Sequence, residues 1–292
     1  MKPSSDQRLS ARDPRARSAI TKTLDAIKAG DLQREKARVA EVRKITKSQR
    51  ALRAPFERLI TQSPAASRAL EGLRQQRVKS VEGFVREIPM RDRPGASVLD
   101  LHLQEHLSVV IPPYDFDWQR GNPNKAIRNR LDGSIGILGE SGHFQNGNGD
   151  RVDAAAGIGL AITTDKPAMV SVRPFITYSW AYVVAAEGPF SSGSASGGID
   201  AGAFLNGTII DGVRRSQLFS NSRGWDGSNS DNDGGITWVP DVTLGFNMVP
   251  GQVVVVNFGA WITCDHDSGI GWGAGGGRVQ GSVKWIVVER FV

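Results

Sequence analysis

The stretch Asn229-Ser-Asp231-Asn-Asp233-Gly234 sets an amide and two carboxylates at alternate positions ahead of a glycine. In a tight loop that spacing turns oxygen ligands inward and lets the chain bend sharply, as the first half of a calcium loop requires. Pro240 stands where a closing Glu belongs, and Asp241 beside it supplies the replacement carboxylate. The expected cofactor set is therefore none, or Ca2+ held by Asn229, Asp231, Asp233 and Asp241. A solvated polar hairpin loop is the competing reading, because Asn, Asp, Ser and Gly favour turns for backbone reasons.

A second group, Cys264-Asp265-His266-Asp267, brings a thiol, an imidazole and two carboxylates together at the end of an apolar run. Strand alternation puts Cys264 and His266 on one face and Asp265 and Asp267 on the other. Two soft ligands do not close a zinc site, and the chain has a single cysteine. His102 and His106 would have to approach in space to complete one.

Trp225, Trp238, Trp261, Trp272 and Trp285 crowd the last third of the chain among Asp-, Asn- and Gly-rich segments. Indole rings beside carboxylates suit sugars, which offer apolar faces and planar arrays of hydroxyls. Trp225 and Trp272 fall in expected loops. With Asp265 and Asp267 they form the candidate glycan site, while Trp238, Trp261 and Trp285 fall in expected strands and are assigned to the core. No Ser-His-Asp arrangement or pair of catalytic glutamates is readable, so the chain reads as non-enzymatic. Asn206-Gly-Thr208 has the form of a glycosylation acceptor, but no apolar leader precedes it.

The elements that would position these residues differ sharply between the two ends of the chain. Residues 1–80 hold 20 of the 36 Lys and Arg and 8 of the 30 Asp and Glu, a net +12, and the remainder is −6. Of the 34 glycines, 32 lie after residue 80. Asp13-Pro14 is an N-cap followed by Pro at the first helical position. Ile20, Leu24 and Ile27 then follow at helical spacing, and Gly30-Asp31 predicts a stop and a fresh cap. Leu32, Val39, Val42, Ile45, Leu52, Phe56 and Leu59 form a narrow stripe between cations, with a kink or restart at Pro55. Ser63-Pro64 opens a last helix through Leu70 and Leu73. So narrow a stripe buries too little surface to offset the cost of ordering the chain. The helices are therefore expected to be held by other copies or by the rest of the protein.

Residues 86–96 read as a linker. Beyond it, alternation at 99–103 and apolar runs at 107–111, 134–138, 156–164, 168–186, 200–210, 236–248, 252–263 and 280–292 predict strands. SSGSASGG, DGSNSDNDGG and GAGGG read as turns between them. The expected architecture is α+β by segments. Residues 1–90 form a basic, coiled-coil-like helical assembly region, and residues 91–292 form an antiparallel β-sandwich of jelly-roll type. No stretch is apolar enough for a transmembrane helix. The expected location is cytoplasmic, or outside the cell without a cleaved signal.

These features predict a non-enzymatic structural protein that homo-oligomerises through its N-terminal helices and displays β-domain loops to a ligand or partner. Two alternatives are a lectin-like carbohydrate-binding module and a nucleic-acid-packaging, capsid-like subunit. In the second, the basic arm meets an anionic partner by neutralising phosphates.

Overall fold

The computed structural model describes residues 13–65, 68, 107–142, 151–188, 191–224, 227–238, 242–267 and 272–291. The predicted strand at 99–103, the linker at 86–96, the helix through Leu70 and Leu73, and residues Trp225 and Asp241 lie outside these.

A single helix, α1 (Pro14–Thr61), spans 48 residues, about 72 Å at 1.5 Å per residue. It begins where the sequence places its cap. Asp13 Oδ1 accepts a hydrogen bond from the Arg15 backbone N–H at 2.8 Å, and that bond holds the Asp13 carboxyl below the usual carboxylate range. Contrary to expectation, α1 runs through Gly30-Asp31 and through Pro55. Asp31 does not cap a new helix. Its Oδ2 accepts from the Gly121 backbone N–H at 3.0 Å and its Oδ1 from Arg34 at 2.8 Å. The following Leu, Gln, Arg, Glu, Lys and Ala are strong helix formers that outweigh one glycine. The chain is helical again at Pro64, as Ser63-Pro64 predicts.

Twelve strands follow: β1 (Leu107–Val110), β2 (Phe116–Arg120), β3 (Lys125–Asn129), β4 (Ser134–Gly142), β5 (Arg151–Thr163), β6 (Ala168–Glu187), β7 (Ser192–Leu205), β8 (Thr208–Gly224), β9 (Gly227–Trp238), β10 (Leu244–Met248), β11 (Val253–Asp267) and β12 (Trp272–Phe291). One sheet has the order β10-β6-β12-β4-β3, with β1 added beside β12 and β9 beside β6. The other has the order β2-β5-β11-β7-β8. All pairings are antiparallel. Many of them are nested. β4 pairs β12, β5 pairs β11, β6 pairs β9 and β10, and β7 pairs β8, as if one long hairpin were folded at the β7–β8 turn. That turn is Asn206-Gly207, with φ of 52° and 82°. These are the left-handed angles a two-residue hairpin turn needs. The run 200–210, expected as one strand, is this hairpin, and the run 236–248 is divided between β9 and β10.

The two sheets enclose one core, with Ile135, Ile158, Leu160, Ile176, Ile199, Ile262 and Ile286 fully buried. SSGSASGG, DGSNSDNDGG and GAGGG, expected as turns, lie largely within β7, β9 and β12. For two of the three the reason is room. A Cβ on Gly197 would sit 2.6 Å from the Phe219 ring, and one on Gly277 would sit 2.9 Å from Ile262 Cδ1. β12, predicted to be central, is flanked by β6 and β4.

The outer face of the β2-β5-β11-β7-β8 sheet carries a second apolar cluster. Phe116, Trp118, Phe204, Val255 and Trp261 are buried against Ala16, Ala19 and Ile20 of α1, with Leu24 and Ile27 alongside. The predicted Ile20/Leu24/Ile27 stripe thus meets the protein's own β structure. Leu32, one turn beyond, is 59% exposed.

Two stability measurements check this division of α1. Ile20→Ala is expected to cost roughly 2–3 kcal/mol in denaturant unfolding, and Leu32→Ala less than about 0.5 kcal/mol. Equal costs would mean that the seam does not end near Gly30. A Cβ on Gly30 meets only Arg34 Nη2, at 3.7 Å. Gly30→Ala should therefore add about 0.5–1 kcal/mol by stiffening the helix, and a loss would show that the glycine is needed.

Candidate functional site

Strand alternation on β2 turns Phe116, Trp118 and Arg120 to the outer face of their sheet. Register carries the row across. Arg120 lies opposite Ala155 of β5, Ala155 opposite Trp261 of β11, and Trp261 opposite Gly198 of β7. One row along, Gly259 lies opposite Asp200 of β7, and Asp200 opposite Arg215 of β8. The small residues form a floor on which wide side chains lie flat. A Cβ on Gly259 would fall 2.6 Å from the Trp118 ring, and one on Gly198 would fall 3.0 Å from Trp261 Nε1.

Charged groups sit on this floor. Arg120, 6% exposed, donates from Nη1 to Asp153 Oδ1 at 2.9 Å. The Arg215 guanidinium carbon stands 4.8 Å from the centroid of the Trp261 ring, within cation–π range. Asp200 is 3% exposed. Burial pushes its carboxyl up to about 6, against the pull of Arg120 and Arg215. Burial also lowers the Arg215 guanidinium. Asp200 Oδ1, Arg120 Nη2, Trp261 Nε1 and Thr23 Oγ1 are buried without a hydrogen-bond partner. Buried polar atoms are satisfied in the great majority of cases, so four on one covered face mark it out.

Beside this face opens a cleft of about 1420 Å3 between α1 and strands β2 to β5, reaching β12. Seven Lys and Arg line it (Lys28, Arg34, Arg120, Lys125, Arg128, Arg151 and Arg278) against three acids, Asp31, Glu140 and Asp153. Gly121 is required at its edge. Its φ is +68°, and a Cβ there would lie 2.1 Å from the Asp153 carbonyl oxygen. This closeness lets its N–H reach Asp31 and tie α1 to the β2–β3 turn.

The predicted metal residues are arranged otherwise. Asn229, Asp231 and Asp233 belong to strand β9 and not to a loop. They stand opposite Val184, Tyr182 and Trp180 of β6. Alternate residues of a strand are about 6.6–6.8 Å apart, too far to wrap a single ion as loop ligands do. Asn229 instead donates to the Tyr182 hydroxyl at 3.2 Å, which also receives Asn221 at 2.8 Å. Tyr182 stacks with Trp180 and Phe219, so this polar strand closes over an aromatic cluster. Among the described residues, no group of three or more His, Cys, Asp or Glu is placed to hold a metal.

Of the predicted glycan residues, Asp265, Asp267 and the backbone of Trp272 share one end of the β structure. Trp272, expected in a loop, opens β12 opposite Glu187 of β6. Asp267 pairs with Ser192, and Ser192 with Gly224, the residue before Trp225. Asp265 forms an ion pair with Arg151 at 3.7 Å and accepts from the His266 backbone N–H at 2.9 Å. Cys264 is fully buried, donates to the Gly139 carbonyl at 3.2 Å, and has its thiol pushed far up by that burial. Trp261 is buried, though in the cluster beneath α1 and not between the sheets, and Trp285 is half-buried and stacks on Phe175 at 4.1 Å.

Sequence reasoning missed Arg120, Asp153, Asp200 and Arg215. The alternation Phe116-Trp118-Arg120 was the available signal for the first. A lone Asp in the apolar run Gly198–Phe204 was the signal for Asp200.

No family model and no curated protein matches this sequence. Among solved structures, the chain is similar to an isomalto-dextranase from Arthrobacter globiformis T6 complexed with panose. Identity is 11% over 63% of this chain and 23% of that one, with a TM-score of 0.23. It is also similar to the structure of infectious bursal disease virus, Gx strain, at 9% identity over 68% of this chain and 42% of that one, with a TM-score of 0.17. The Gt strain gives 10%, 70%, 43% and 0.13. The chain spans less than half the length of each. Likenesses this slight carry no argument about fold or function.

The buried Asp200 sets a pH dependence. Its carboxyl is raised in the folded state, so the native protein binds that proton more tightly than the unfolded chain does. Its stabilising contribution is complete below pH 3.8 and is lost as pH rises through about 6. The stability of the native protein minus that of Asp200→Asn should fall between pH 4 and 6.5 and level off above. A flat difference across that range would reject a buried titrating carboxyl.

Proposed function

We propose that this protein is a non-enzymatic structural subunit, with a jelly-roll body and a helical arm that assembles copies. The nested pairings support the jelly roll. β4-β12-β6-β9 in one sheet faces β5-β11-β7-β8 in the other, the order produced by rolling one long hairpin into two Greek keys. On this reading residues 1–90 are the assembly region and residues 91–292 are the body.

The observation that carries the reading is α1 itself. Its first five turns rest on the sheet, and the helix then continues from Leu32 to Thr61, about 45 Å further. Leu32, Lys36, Ala37, Ala40 and Pro55 are exposed. Good helix formers alone leave a helix marginal in water, and most helical stability comes from tertiary packing. A second copy laid along the Leu32/Val39 seam supplies that packing. A body patch adds to this. Met169 and Phe291 are cross-strand partners, 53% and 52% exposed, and large exposed apolar pairs of this kind suit subunit contacts.

A lectin-like role of Trp225, Trp272, Asp265 and Asp267 draws on the ends of β11 and β12, which bring Asp265, Asp267 and the Trp272 backbone to one end of the body, but Asp265 is already engaged by Arg151. Assembly is the reading with more support.

The test is native mass by light scattering of the full-length protein against a Leu32→Asp/Val39→Asp variant. The wild type should be oligomeric at micromolar concentration. The variant should have lower mass, with the thermal midpoint of the body unchanged. A monomeric wild type, or identical masses, would reject the arm as the assembly element.

A further inference from the structure

We propose that the cleft between α1 and the β2–β5 strands binds the phosphate groups of a nucleic-acid strand, with Arg120 as the buried anchor and Lys28 and Lys125 as contacts on opposite walls. This goes beyond assembly, since it concerns a site complete within one chain.

The charge balance is the first ground. Two of the three acids in the cleft are already taken up. Asp153 accepts from Arg120, and Asp31 accepts from Arg34 and the Gly121 N–H. Lys28 of α1 and Lys125 of β3 are exposed and have no carboxylate partner among the described residues. Arg128 and Arg151 pair with Asp117 and Asp265 outside the cleft lining, so Lys28 and Lys125 are the cations that face the open volume.

Arg120 is the second and independent ground. It is 6% exposed, lines the cleft, and has its Nη1 fixed by Asp153 while Nη2 has no acceptor. A guanidinium pinned on one side is a preset charge in the cleft wall, which favours an anionic phosphate oxygen there. Fixing the anchor beforehand removes the cost of ordering it on binding.

Size and lining decide between a small anion and a strand. The volume, about 1420 Å3, exceeds the roughly 300–1,000 Å3 of ordinary small-molecule pockets. One wall is α1, from Lys28 to Ala37, and the helix continues past it to Thr61. A strand leaving the cleft can follow that wall. No aromatic ring lines the cleft among the described residues, so contact is to the backbone and not to stacked bases. Binding is then tolerant of sequence.

The test uses the full-length protein and three probes: a labelled single-stranded oligonucleotide of mixed sequence, inorganic pyrophosphate, and polyglutamate of matched charge. The oligonucleotide should bind saturably. Lys28→Gln/Lys125→Gln should weaken it about tenfold and flatten the plot of log affinity against log salt by roughly 1.4, the value for two lost contacts to a single strand. Pyrophosphate should compete weakly and polyglutamate hardly at all. The lysines are exposed, so the variant should keep its native thermal midpoint. Any one of four results overturns the proposal: no saturable binding, affinity unchanged in the double variant (contact through the arm alone), pyrophosphate as tight as the oligonucleotide (a small-anion site), or polyglutamate equal to it (an acidic protein partner).

Discussion

Gly193 of β7 faces the other sheet at a point where a Cβ would fall 2.0 Å from the Ala274 carbonyl oxygen and 2.6 Å from that of Ala185. Gly275 returns the constraint, since its Cβ would fall 2.1 Å from the Ser194 carbonyl oxygen. At this end of the molecule the two sheets meet backbone to backbone, with no side-chain layer between them. Sheets packed face to face through a side-chain layer stand about 10 Å apart, so the core is wedge-shaped. It is filled by isoleucines and leucine where the sheets diverge and by Ala and Gly where they close. The convergence also gathers the ends of β6, β7, β8, β11 and β12, which is why Glu187, Ser192, Gly224, Asp267 and Trp272 come together.

The same economy of side chains operates on the outer face beneath α1. Phe116 and Trp118 lie over Gly159 and Gly259, and the Trp261 indole lies beside Gly198. The result is a flat apolar bed with Arg120, Asp200 and Arg215 set into it. Placing charges there is costly, and a buried ion pair seldom repays its desolvation in net stability. The raised Asp200 carboxyl is the visible sign of that cost. A hydrophobic residue at 200 would suit the bed better on stability grounds alone.

Much of this architecture was legible in the residues. Asp13-Pro14 marked the start of the helix because capping is a local interaction. Ile20, Leu24 and Ile27 marked the docked stripe because periodicity records which face is covered. The alternating and apolar runs marked most of β4 to β6, β11 and β12. Glycine misled, because its local signal is that of a turn whether it serves for φ or for space. Gly197 and Gly277 are needed for space, and only the opposite sheet reveals that. The carboxylates of β9 misled for a related reason. Asn229, Asp231 and Asp233 have the spacing of loop ligands, yet their pairing with β6 extends them. The site beneath α1 could not be read at all as a site. Arg120, Asp153, Asp200 and Arg215 belong to four strands and meet only through register.

Continuity of α1 links the docked stripe to the exposed arm. Had Gly30-Asp31 ended the helix, the arm would be a separate element on a hinge, free to take any direction. Asp31 instead ties the helix to the β2–β3 turn through the Gly121 N–H, and Arg34 braces the same carboxylate one turn on. The helix therefore leaves the body in a direction set by the sheet, and its turns from Lys28 to Ala37 form a wall of the cleft. A rigid exit fixes the geometry with which a second copy, or a bound strand, meets the body. Preorganisation of that kind lowers the ordering cost of association more than added contacts would.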